Sequence, residues 1–322
     1  MIPTFTPPDK KLRPPEPRVP AIRRRTAVRT ALNEYIARLV AQVDVARISG
    51  WIGNLVNFPT RHTLSSHNVE AAEWLRGQFQ KLGYTDVVFH DFKVKSAIRH
   101  NVICTKPGKV EPNKYLIICA HYDSRMKSLG DANSIAPGAD DNASGVAALL
   151  EMARILFAVD TTYSIRFCAF SGEEQGYVGA SAYATLASNS GMQIPLLINM
   201  DMVGHPENPS NPTIIVEHDI GNHVRTNDAP SLAFANQMTQ AAADYTTLQT
   251  TLGPIYSSDY MPFEYLGYVC IGAYDGADVE PFYHTANDTI DKVNMGFCGE
   301  VTRMVLATVL TIAGSPPSAA IG

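Results

Sequence analysis

The chain has 322 residues, of which 45% are hydrophobic, 18% charged and 9% aromatic. This is the composition of an ordinary globular protein, and it excludes a disordered, collagenous or disulfide-dense chain. The net charge of −5 conceals a split, because residues 1–30 carry eight Lys or Arg against two acids and the remainder carries 18 against 29. A body this acidic lacks the basic surface that nucleic acid requires.

In chain order, residues 1–30 read as a basic, Pro-rich arm, with seven prolines before Ala21 and the cluster Arg23–Arg25. The expectation is an arm set apart from one large domain over residues 31–322. No apolar stretch like that of a signal peptide occurs in the arm. A cytoplasmic location is therefore expected for the sequence as written, and a secreted or periplasmic one if a leader was trimmed. Apolar positions at helical spacing (Leu32, Ile36, Leu39, Val40, Val43) predict a helix within 31–58. A second is predicted over 68–82, with Ser66 and Gly83 as caps.

Short apolar runs then alternate with amphipathic stretches, as βαβ architecture requires. Strands are predicted at Thr85–Lys93, Asn101–Thr105, Tyr115–His121, Ser164–Phe170, Leu196–Met202, Thr213–Glu217 and Val269–Ala273. Helices are predicted over 144–159, 177–188, 230–243 and 296–313. The longest apolar run, Met304–Gly314, falls short of the roughly 18 to 20 residues that cross a bilayer, so a buried C-terminal helix and no membrane partner are expected. The five cysteines form no CxxC pair, and most lie in strand-like runs that predict buried, reduced thiols. Residues 124–143, 204–212, 218–230 and 274–294 are rich in Gly, Pro, Asn and Asp. Each follows the carboxyl end of a predicted strand, where open α/β sheets place their ligands.

Those strand ends carry more polar residues than turns need. His121 and Asp123 end YLIICAHYDS, on one face of an extended segment. Asp140, Asp141 and Asn142 precede an apolar helix, where one of them would suffice as a cap. Glu173 and Glu174 follow IRFCAFSG, and adjacent buried carboxylates repel unless they share a cation or a proton. Asp201 lies inside the apolar run LLINMDMVG, where an unpartnered carboxylate would cost several kcal/mol. His284 sits in the loop PFYHTANDT. Singly, these residues read as a structural pair, a helix cap, a helix-start acid pair and a surface histidine. Together they offer two imidazoles and at least three carboxylates, an inventory that suits zinc and, with one bridging acid, two zinc ions. No GxSxG elbow, GxxxxGK[ST] phosphate loop or HExxH helix competes with them.

At these residues the chain resembles the co-catalytic zinc aminopeptidases typified by the bacterial leucyl and Streptomyces enzymes, a family that also holds glutamate carboxypeptidase and glutaminyl cyclase relatives. The resemblance runs from about Ile48 to Val309. It passes through FPTR, NVI, AHYDS, PGADDNASGVAALLE, FSGEEQGYVGASAY, NMDMVG, SSDYMPF and YHTANDT in family order. It implies a three-layer α/β/α fold with a central mixed, mostly parallel sheet. It also implies two zinc ions per chain, with His121 and Asp201 as terminal ligands of one, Glu174 and His284 of the other, and Asp141 bridging. Glu173 would be the general base, Asp123 the acid orienting His121, and Tyr283 the hydroxyl that steadies the oxyanion. The basic arm departs from the family pattern.

Two zinc ions about 3.5 to 4 Å apart would lower the pKa of a shared water towards 7 and polarise the scissile carbonyl. The carboxylate excess suits an α-ammonium group, so the expected substrates are peptides with a free N-terminus and the expected activity is that of an aminopeptidase. A carboxypeptidase or dipeptidase would need arginines for a terminal carboxylate, and the loops offer only Arg125 and Arg225, while Asp275, Asp278 and Glu280 crowd towards His284. A glutaminyl cyclase would match HYDS and GEE but depart from DDNASG, and a metal-free binding module would have lost ligands that all stand here. Side-chain preference and oligomeric state depend on loop shape and surface, which no motif encodes.

Overall fold

The apolar runs assemble into one eight-stranded sheet. In the computed structural model, which describes residues 33–276 and 281–314, the strands are β1 (Val87–Val94), β2 (Ala97–Lys106), β3 (Glu111–His121), β4 (Tyr163–Phe170), β5 (Gln193–Met200), β6 (Thr213–His218), β7 (Gln249–Pro254) and β8 (Cys270–Tyr274). Across the sheet they lie in the order β1-β2-β4-β3-β5-β8-β6-β7. The central strands β4, β3, β5 and β8 are mutually parallel. The pairs β1–β2, β2–β4 and β6–β8 are antiparallel, and β7 joins β6 in parallel. The sheet is therefore mixed, as expected, with its parallel part at the centre.

Alternation along β3 divides the core between the two faces. Leu116, Ile118 and Ala120 pack with α1 (Glu34–Val40), α2 (Val45–Val56), α3 (Ser66–Lys81), α4 (Gly145–Leu156), α6 (Asp228–Tyr245) and α8 (Met295–Ala313). Ile117 and Cys119 pack with α5 (Val178–Asn189) and α7 (Met261–Tyr265) on the other side. Because the central strands point the same way, the ends of β3, β4, β5 and β8 open onto one edge, and the polar loops meet there.

Three sequence expectations need correction. The helical pattern within 31–58 is two helices, because Asp44 breaks it: its side chain accepts the backbone N–H groups of Ala46 and Arg47 and starts α2. β7 was not foreseen, because it is an edge strand whose side chains are only exposed or half-buried and so show no core periodicity. The third concerns α8, which is long and apolar enough to cross a membrane by length and composition. The uninterrupted run from Met304 understated it, since only Glu300 and Arg303 interrupt the whole helix. α8 is mostly buried inside the protein, against α1, α2, α4 and α6. All five cysteines are buried and unbridged, and the Pro-rich arm lies outside the described residues.

Candidate metal centre

The first strand end is built around Asp123. β3 delivers His121, and two residues later the Asp123 carboxylate accepts the Thr63 hydroxyl at 2.9 Å. It also accepts the backbone N–H groups of Glu173 and Glu174, each at 3.3 Å. The carbonyl of Asp123 lies 3.2 Å from His121 Nδ1. One residue thus ties the end of β3 to the turn after β4 and orients the imidazole. At the end of β5, Asp201 Oδ2 accepts the Ser258 hydroxyl at 2.7 Å, and Asn199 Nδ2 donates to that hydroxyl's oxygen at 2.8 Å.

Asp141 is held mainly through its backbone. The N–H groups of Asp140 and Asp141 donate to the two oxygens of Asp288 at 2.9 and 3.1 Å, and the peptide bond from Asp141 to Asn142 is cis. Gly138, just before, sits at φ 55°, and a Cβ there would collide with the carbonyl oxygen of Asp141, so glycine is required. Under this loop the fully buried Arg61 donates to the carbonyls of Tyr122 (2.7 Å), Leu55 (3.2 Å), Gly138 (2.8 Å) and Pro137. Burial lowers its pKa to about 10 while Asp288 and Asp123 pull the other way, so it stays cationic at neutral pH. Arg61→Met would strand those carbonyls and remove the cation. It is expected to cost about 3 kcal/mol or more of stability, read as a lowered urea midpoint.

His284 adopts φ 55°, a left-handed conformation rare outside glycine, and such backbone outliers concentrate at functional sites. The Tyr283 ring stacks on its imidazole, with centroids 3.6 Å apart and planes inclined by 27°.

These side chains converge. His121 Nε2 lies 3.2 Å from Asp141 Oδ1 and 3.1 Å from Asp201 Oδ1. His284 Nε2 lies 2.9 Å from Asp141 Oδ2 and 3.2 Å from Glu174 Oε2. Two imidazole–carboxylate pairs therefore flank one carboxylate, each facing a different oxygen of it. Three groups of potential ligands, His121–Asp141–Asp201, Asp141–Glu174–His284 and His121–Glu173–Glu174, have their donor atoms within 4.8 Å of one another, all buried.

Electrostatics call for a cation at this point. Burial alone would lower the pKa of both imidazoles, yet neighbouring carboxylates outweigh it. Asp201 and Glu173 hold His121 well above the usual imidazole range, and Glu174 and Asp141 raise His284. Behind them burial pushes Asp140 and Asp288 up to about 7. Glu174 Oε1 and His284 Nε2 are buried and make no hydrogen bond, although Nε2 is in close contact with Asp141. Two imidazoles crowded against several buried carboxylates form a donor set that fits a metal ion, and nitrogen and oxygen ligands of this kind fit zinc.

The structure thus brings together His121, Asp141, Glu173, Glu174, Asp201 and His284, with Asp123 beneath them and Tyr283 stacked beside them. Of the acids expected near His284, Asp275 accepts the His205 N–H at 2.8 Å, while Asp278 and Glu280 lie outside the described residues. Sequence reasoning assigned no role to Arg61, Thr63, Ser258 or Asp288. The motifs FPTR, SSDYMPF and YHTANDT contain three of them, but nothing local says which group each one holds. Arg125 is engaged with Glu174 at 2.6 Å.

A three-layer sheet with imidazoles and carboxylates converging at its carboxyl edge is the architecture of a metallopeptidase. Residues 101–309 match the model of Peptidase family M28, and the chain belongs to that family. A probable zinc metalloprotease of Leptosphaeria maculans is 35% identical over 195 residues, covering 55% of this chain and 45% of that protein. The chain thus spans less than half the length of this curated relative. Among solved structures, the LapA aminopeptidase of Legionella pneumophila shares the fold with a TM-score of 0.75 at 19% identity, over 88% of this chain and 75% of that one. BSAP, a zinc aminopeptidase of Bacillus subtilis, is 28% identical with a TM-score of 0.58, over 70% of this chain and 52% of that one. A glutaminyl cyclase of Bacteroides thetaiotaomicron aligns with a TM-score of 0.66 at 19% identity, over 83% of this chain and 98% of that one.

Proposed function

We propose that the chain is a dinuclear zinc aminopeptidase that removes N-terminal residues from peptides. The observation that carries this reading is Asp141, whose two oxygens face two separate imidazole–carboxylate pairs. In this reading His121 and Asp201 hold one zinc, Glu174 and His284 hold the other, and Asp141 serves both. Zinc bound there supplies Lewis acidity to the scissile carbonyl and lowers the pKa of the attacking water.

The remaining steps belong to the chain's own side chains. Glu173 takes the proton of the attacking water and delivers it to the leaving amine, a role open to it because its neighbour Glu174 is the one assigned to metal. Asp123 keeps the pair in register with His121 through its bonds to both glutamate amides. Tyr283 steadies the negative charge that develops on the carbonyl oxygen, and its stacking on His284 restrains the ring. The excess of buried carboxylates attracts an α-ammonium group. Among the described residues, the loop arginines that could meet a substrate carboxylate are Arg125, which is paired with Glu174, and Arg225, which is exposed.

Zinc-loaded protein assayed against leucyl-p-nitroanilide, its N-acetylated counterpart and a C-terminally blocked peptide tests the reading. Hydrolysis of the first and third but not of the acetylated substrate is expected, with loss of activity on chelation. Release only from a free carboxyl end would indicate a carboxypeptidase. The likeness to the cyclase fold favours one further control: cyclisation of a glutaminyl peptide without hydrolysis would replace the proposal.

A further inference from the structure

A buried polar chain runs beneath the centre and ends on a thiol that the proposed reaction does not use. β3 and β5 lie side by side, with Cys119 in register with Asn199. Each stands two residues before a residue of the centre, His121 or Asp201, and residues two apart on a strand share a face. The Cys119–Asn199 pair therefore forms the layer directly behind the His121–Asp201 pair. Both are shut off from solvent, at 0% and 1% exposure, as is Ser258 at 1%. The neighbours of Cys119 in this layer, among them Ile117, Phe170 and Leu197, are apolar, so packing alone would be met by an aliphatic side chain.

Three hydrogen bonds make the chain. Cys119 Sγ donates to Asn199 Oδ1 at 3.2 Å, Asn199 Nδ2 donates to Ser258 Oγ at 2.8 Å, and Ser258 Oγ donates to Asp201 Oδ2 at 2.7 Å. Its direction is dictated by its members. An ionised carboxylate can only accept, so the single hydroxyl hydrogen of Ser258 goes to Asp201 and the hydroxyl oxygen is left to accept. Asn199 must then present its NH2 group to Ser258 and its oxygen to Cys119. That buried oxygen needs a donor, and the thiol is the group in place to provide one. Turned over, the Asn199 amide would offer Ser258 an acceptor that competes with Asp201 for the one hydrogen.

From this chain we infer that Cys119 is a positioning residue for the metal centre: its S–H fixes the Asn199 amide, which through Ser258 holds Asp201 in the orientation that receives metal. The inference rests on the reading above that Asp201 is a zinc ligand. Hydrogen bonds in series polarise one another, so the thiol also senses the centre. Zinc on Asp201 draws charge from the acceptor at one end of the chain and changes the S–H bond at the other.

The test reads the thiol itself. Infrared spectra of the full chain are compared without metal and at saturating zinc, and the Cys119 S–H stretch is identified as the band that disappears in Cys119→Ser. That band should be displaced when zinc binds. In Ser258→Ala, which cuts the chain midway, it should persist but no longer respond to zinc. Zinc affinity, measured against a competing chelator, should fall about three- to tenfold in Cys119→Ala, below the usual loss for a direct partner of a ligand because Cys119 acts one step further out. Cys119→Ser, whose hydroxyl restores a donor, should return it to within about twofold of wild type. A band indifferent to zinc in a wild-type chain that binds zinc would overturn the inference. Equal loss of affinity in the alanine and serine variants, or no loss in either, would overturn it too and leave Cys119 a packing residue. If wild type binds no zinc, or Asp201→Asn binds it as tightly as wild type, the reading of Asp201 as a ligand fails first and this inference with it.

Discussion

Glu173→Gln should lower kcat by about 10² to 10⁴ while leaving both zinc ions and the fold in place, the usual range for losing a proton-transfer residue. The amide keeps the size and the hydrogen bonding of the side chain but cannot take up a proton. The backbone N–H of residue 173 would still donate to Asp123, so the turn after β4 is preserved. Glu174→Gln should fail in another way. Its Oε2 is the atom within 3.2 Å of His284 Nε2, and an amide is a poorer zinc ligand than a carboxylate, so metal content should fall together with activity. Zinc analysis alongside kcat on the two variants separates these outcomes. Metal loss in Glu173→Gln, or full activity with both ions bound, would show that the division of labour within this pair is wrong.

Asp141→Asn should have the largest effect on metal binding. This carboxylate faces both imidazoles, at 3.2 and 2.9 Å, and in the proposed centre an uncharged amide there would withdraw one shared ligand from two ions at once. Zinc content should drop to one ion per chain or fewer, and activity by about 10³ or more, since neither the carbonyl nor the water is then activated by a paired centre. Asp140→Asn is the matched control. Its carboxylate is directed at the Gly204 N–H, 2.9 Å away, so the variant should keep its zinc. If the two neighbours lost metal equally, Asp141 would not be the shared ligand.

Much of this centre was legible in the sequence because its residues violate local rules. Asp201 inside an apolar run and Glu173 beside Glu174 at a strand end are expensive in isolation, and each had to be explained by something outside its own segment. The βαβ alternation was readable for a related reason, since central parallel strands such as Tyr115–His121 are apolar on both faces. The supporting residues were not readable. Ser258 reaches Asp201 across 57 positions and Asp288 reaches Asp141 across 147, and a serine or aspartate in a loop looks the same whether it holds a ligand or faces water. The break at Asp44 was missed because one cap interrupts an otherwise continuous apolar stripe, and β7 because an exposed edge strand has no buried face to betray it.

The most direct measurement of the central claim is X-ray diffraction from crystals of the zinc-loaded chain above and below the zinc absorption edge. Two anomalous peaks about 3.5 to 4 Å apart on either side of the Asp141 carboxylate, one against His121 and Asp201 and the other against Glu174 and His284, are the predicted result. A single peak, or peaks centred away from Asp141, would contradict it.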